Sequence, residues 1–203
     1  MKNIILSEGK NDIIFLKELL IKKMVIEESN ILFFDQNSED VKKNLKFIED
    51  KYFNKLQSEW LTYKLLVKSE GGKLKIIDIT SSKLIYLCKQ RYNPIMLIDL
   101  DGGKIENFTN KLKEKLVNKF KGINLHFESN ELHKVDEALM HSIKLFKDSK
   151  HIGTIYVIGF YSNLECTTGI NNKSCTIDEK INTIQDYVKK SQIHEMFSKA
   201  LAE

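Results

Sequence analysis

The stretch Pro94-Ile95-Met96-Leu97-Ile98-Asp99-Leu100-Asp101-Gly102-Gly103-Lys104 constrains the fold more than any other part of the chain. A short apolar run bounded by proline and paired glycines reads as a buried strand of a parallel sheet. That strand ends on two carboxylates separated by one residue. Ligands of open α/β sheets bind beyond the carboxyl ends of the strands. Two acids placed there cost free energy unless a proton or a cation compensates them. On an ideal strand Asp99 and Asp101 point to opposite faces. Gly102 and Gly103 allow a turn that swings Asp101 toward the side of Asp99. Mg²⁺ (or Mn²⁺) suits such a pair, because it takes a few carboxylates together with waters and phosphate oxygens.

Ile4-Ile5-Leu6-Ser7-Glu8-Gly9-Lys10-Asn11-Asp12 repeats the logic: apolar strand, acid, glycine. The apolar period then becomes helical, at Ile13, Phe15, Leu16, Leu19 and Leu20. If the two strands lie side by side and parallel, Glu8 faces Asp99 and Asp101. Asp12 then falls in the first turn of the next helix, where the dipole favours an acid.

Strand–Glu8-Gly9-x-x-Asp12, followed far downstream by strand–Asp99-x-Asp101, resembles the Toprim domain, and most closely the pattern of OLD-family nucleases. The resemblance covers residues 2–24 and 74–128 best. It implies a mainly parallel α/β sheet flanked by helices, a glutamate in acid–base chemistry and an Asp-x-Asp pair that binds Mg²⁺. Carried to this chain, it implies Glu8, Lys10 and Asp12 as catalytic residues and Asp99, Asp101 and Glu8 as metal ligands. Glu165, the first acid after the apolar strand Thr154–Phe160, is a looser match to a late-contributed ligand. Lys10, Lys104, Ser81 and Ser82 are candidate phosphate contacts. The function implied is Mg²⁺-dependent hydrolysis of nucleic-acid phosphodiesters, on DNA or RNA.

The remainder reads as alternating strands and helices, hence α/β, in a single Toprim-like domain over 1–203. Strands are expected at 3–7, 31–34, 74–79, 125–127 and 153–160. Helices are expected at 11–23, from Ser38 to the high fifties, around Trp60–Leu66, and over 82–92, 105–120, 131–148 and 176–201. Residues 25–72 exceed what a Toprim connection needs and read as a helical insertion outside the sheet. Thr80-Ser81-Ser82 reads as a helix N-cap with a phosphate contact as the sharper alternative. No internal repeat or low-complexity segment is evident.

With 42% hydrophobic residues the chain can build a substantial core. A net charge of +4 is only mildly basic and does not require a nucleic-acid partner. The absence of a twenty-residue apolar run excludes a spanning helix, and with no signal peptide in view a cytoplasmic protein is expected. Cys88, Cys166 and Cys175 suit reduced thiols, and their wide spacing argues against structural zinc. The five histidines show no i,i+4 pair. Two other functions compete: a Toprim-like module that binds nucleic acid or a protein partner without turnover, and a haloacid-dehalogenase-like phosphatase, whose opening motif Asp99-Leu100-Asp101-Gly102 resembles. In the blander reading the acids cap helices or face solvent.

Overall fold

A computed structural model describes residues 2–35, 63–89, 91–170 and 176–202. The strands are β1 (Lys2–Ser7), β2 (Ile31–Asp35), β3 (Leu65–Ser69), β4 (Tyr92–Asp99), β5 (Leu125–Lys134), β6 (Ala138–Lys147) and β7 (Lys150–Phe160). The helices are α1 (Lys10–Lys17, continued by a π-helical turn, Glu18–Lys23), α2 (Lys73–Lys89), α3 (Ile105–Lys119), α4 (Leu164–Thr168), α5 (Ile177–Lys190) and α6 (Ile193–Ala202). The seven strands form one sheet in the order β2-β3-β1-β4-β7-β6-β5. The first five are parallel, and β6 and β5 complete it antiparallel. The chain is therefore α/β, with a mostly parallel sheet flanked by helices.

Burial on both faces explains the unbroken apolar run of β4. Phe15, Leu16 and Leu19 of the first helix, Ile184 and Val188 of α5, and Met196 and Phe197 of α6 cover Ile5, Val67, Leu97 and Ile158. On the other face Ile76, Leu84 and Leu87 of α2 and Phe108, Leu112 and Leu116 of α3 cover Ile4, Leu66, Met96, Ile98 and Val157. The β1–β4 pairing is parallel, as the two acid-ending motifs require.

Three expectations change. Residues 74–79 are helix, not strand. The β-branched run Ile76-Ile77-Asp78-Ile79 suggested a strand, but Ile76, Thr80, Leu84 and Leu87 form a buried helical stripe. The strand beside β1 is Leu65–Ser69, so Glu70-Gly71-Gly72 ends a strand. Gly71 and Gly72 adopt φ of 78° and 130°, which glycine tolerates, and turn the chain into α2. The insertion 25–72 is consequently not outside the sheet at its ends: β2 pairs β3, and β3 pairs β1. Its expected helical middle, from Ser38 to Leu61, lies outside the described residues. Residues 131–148 are the end of β5 and all of β6, not a helix. β6 lies between two strands and buries residues on both faces, so a two-residue alternation is masked.

Candidate active site

Three neighbouring strands, β3, β1 and β4, deliver their carboxyl ends to one edge, and each ends in an acid, one or two glycines and a lysine: Glu70-Gly71-Gly72-Lys73, Glu8-Gly9-Lys10 and Asp101-Gly102-Gly103-Lys104. The first of these acids is committed to structure. Glu70 and Lys68 form a buried ion pair at 2.7 Å. The other two strands build the cluster.

Glu8 is partly buried, and its Oε1 accepts the backbone N–H of Asp99 at 2.8 Å. That contact crosses from β1 to β4 and fixes the two acid-bearing turns together. Burial raises the Glu8 pKa, while the Asp99 N–H and the Lys73 charge oppose the rise. Asp99 Oδ1 accepts the N–H of Leu164 at 3.0 Å. Its pKa is pushed up to about 7, chiefly by burial and then by the negative charge of Glu8, with Glu165 and Asp101 adding to it. Glu165 thus stands at the same edge, within the field of Asp99, and its Oε1 accepts from Asn11 Nδ2 at 2.7 Å.

Asp12 does something different. Its Oδ2 accepts the N–H groups of Glu8 and Gly9 at 2.9 and 2.7 Å. It reaches back over the start of α1, as an acid at the third helical position does in a capping box. Through Oδ2, Asp12 therefore holds the Glu8 turn in place. Burial, then the charges of Asp99 and Glu8, raise its pKa to about 8. The unfolded group titrates near 3.8, so the folded chain keeps a proton that the unfolded chain loses between these values. Its stability contribution is complete below pH 4 and is lost as pH rises toward 8. In metal-free buffer, Asp12→Asn, which has no proton to lose, is expected to flatten the fall in stability between pH 5 and 8. Urea denaturation at the two pH values checks this; an unchanged slope would remove Asp12 as its source.

Asp101 is exposed, in a left-handed conformation at φ 51°, and forms an ion pair with Lys73. Lys73 was not singled out in the sequence. The signal was available in the recurring acid–glycine–lysine endings. The segment Leu100–Gly102 is fastened to the exit of β7: Leu100 and Gly102 N–H donate to the carbonyls of Phe160 and Tyr161, both at 2.8 Å. Leu100 lies so close over Gly159 that an added Cβ would meet its Cγ at 2.9 Å and both Cδ atoms at 3.0 Å. Gly159→Ala is therefore expected to displace Leu100 between the two aspartates and to cost about 1–3 kcal/mol, the usual range for overpacking. Chemical denaturation measures this, and a neutral outcome would show that Leu100 can move freely.

A cleft of about 330 Å³ opens beside Asp99, between the N-terminal halves of α2 and α3. Lys73, Lys104, Asn107 and Lys111 line it, over a floor that includes Ile77, Ile98 and Phe108. Lys10 is exposed at the start of α1. Ser81 and Ser82 do not join the site. They lie inside α2, about 12 Å along its axis from Lys73 at 1.5 Å per residue, and both hydroxyls donate to the Asp78 carbonyl. They neither cap a helix nor face the cleft.

The donor set at this edge is entirely carboxylate oxygen, and burial has raised Glu8 and Asp99 toward protonation. Both features fit a small hard divalent cation, which would offset the crowded charge. Among the described residues, no three acidic, histidine or cysteine side chains are already drawn close enough together to clasp an ion. Waters and substrate oxygens would have to complete the coordination, as is usual for Mg²⁺. No protein-family model matches the chain, and no curated protein matches it.

Proposed function

We propose that the chain is a Toprim-type, Mg²⁺-dependent enzyme that hydrolyses nucleic-acid phosphodiesters. The contact between Glu8 Oε1 and the Asp99 N–H carries this reading, because it joins the two separate acidic motifs into one site. Glu8 and Asp99 would hold the ion, with Asp101 and Glu165 within the same field. Bound there, Mg²⁺ supplies charge neutralisation at the scissile phosphate and acidifies a water. Glu8, whose pKa burial raises, is the residue suited to acid–base work where it is not ligating the ion. Asp12 fixes the Glu8 turn. Lys104 and Lys111 line the adjacent cleft, Lys10 is exposed at the start of α1, and all three suit backbone phosphates.

A non-catalytic module for nucleic acid or a protein partner is the second reading. The Lys73–Asp101 pair favours it, since an internal ammonium already compensates one of the expected metal ligands. Incubation with single- and double-stranded DNA and RNA, with Mg²⁺, Mn²⁺ or EDTA, separates the two. Products that require the metal are expected. Binding without products in either metal supports the module instead.

A further inference from the structure

His141 is in β6, directly opposite Glu131 on β5, and its side chain is turned to the α3 face of the sheet among Leu139, Ile143 and Leu145. It is only 7% exposed, and its Nε2 is buried without a hydrogen-bond partner. That atom is aimed between two carboxylates: Glu106 Oε1 of the first turn of α3 at 3.8 Å, and Glu131 Oε2 at 3.9 Å. Both separations are too long for a hydrogen bond. They are also slightly longer than one ion allows as they stand: donors about 2.0–2.2 Å from a tetrahedral Zn²⁺ lie about 3.3–3.6 Å apart, so each carboxylate has to close by only a few tenths of an ångström. A β-bulge at Glu131/His133 sits beside the trio, a device that re-aims side chains near sites.

We infer that His141, Glu106 and Glu131 form a second divalent-cation site, separate from the strand-end carboxylates and independent of the proposed hydrolysis. The trio is open as it stands. Glu106 and Glu131 side chains are 57% and 58% exposed, so both can rotate toward the imidazole without disturbing the core. One imidazole nitrogen with two carboxylates, and an open side for water, suits a borderline ion such as Zn²⁺ better than Mg²⁺. Such an ion satisfies the buried Nε2 and ties the β5–β6 pair to the first turn of α3, two residues beyond Lys104.

The test is calorimetric titration of Zn²⁺ into EDTA-stripped, untagged full chain, done in an Asp99→Asn background so that the strand-end site does not contribute. Binding of one equivalent is expected, with the His141 ring resonances moving on addition of the ion. Adding Glu106→Gln and Glu131→Gln, both at exposed positions that do not threaten folding, is expected to weaken binding by more than about tenfold, since even partners one step removed from a ligand cost that much. Absence of Zn²⁺ binding in the Asp99→Asn protein overturns the inference. So does unchanged affinity, or an unchanged shift of His141, in the triple variant.

Discussion

Asp99→Asn is expected to lower metal-dependent cleavage by roughly two to four orders of magnitude, the effect of losing several kcal/mol of metal-derived charge stabilisation. The substitution keeps the shape of the side chain and an oxygen that can accept the Leu164 N–H at 3.0 Å. It removes the charge that Glu8, Glu165 and Asp101 crowd against, and with it a group that titrates near 7. The folded state of the variant is therefore not disfavoured above pH 7, and thermal melting at pH 8 is expected to match or exceed wild type. A large loss of turnover with no loss of stability is the combined signature. Wild-type turnover in a folded Asp99→Asn protein would exclude Asp99 as a metal ligand.

Phe15→Ala is expected to have the largest effect on stability, about 3–5 kcal/mol, as for other aromatic truncations in packed cores. Phe15 is fully buried. Its ring meets Phe160 edge-on at 5.7 Å and Tyr187 at 6.2 Å, so it joins α1 to the end of β7 and to α5. Those contacts also bear on function. α1 carries Asp12, which fixes the Glu8 turn, and Phe160 is paired with Asp99 across the sheet. Urea unfolding measures the loss. A cost below about 1 kcal/mol would mean that this interface can collapse around the cavity.

The edge that carries the acids was legible because β1 and β4 are buried on both faces and end in charge followed by glycine, a pattern that depends on few tertiary contacts. Glu8 and Asp99 could be placed from that alone. What the sequence did not disclose was packing. Ile76-Ile77-Asp78-Ile79 has strand-like residues, and only the burial of Ile76, Thr80, Leu84 and Leu87 along one stripe makes it helix. A strand at 74–79 leaves Leu65–Ser69, the true neighbour of β1, to a helix, and it puts at Ser81 and Ser82 a helix start that lies about two turns earlier, at Lys73. β6 failed for the opposite reason: burial on both faces removes the alternation that marks a strand. Asp12 looked catalytic by motif. Its two backbone contacts give it a positioning role that no spacing rule distinguishes from ligation.

The proposed chemistry requires the strand-end acids to hold a cation together. Crystals soaked in Mn²⁺ and measured at its absorption edge test this most directly. An anomalous peak within about 2.5 Å of carboxylate oxygens of both Glu8 and Asp99, a distance that allows for direct oxygen ligation, is the expected result. No peak at that edge in crystals saturated with Mn²⁺, or a peak beside His141 alone, would contradict it.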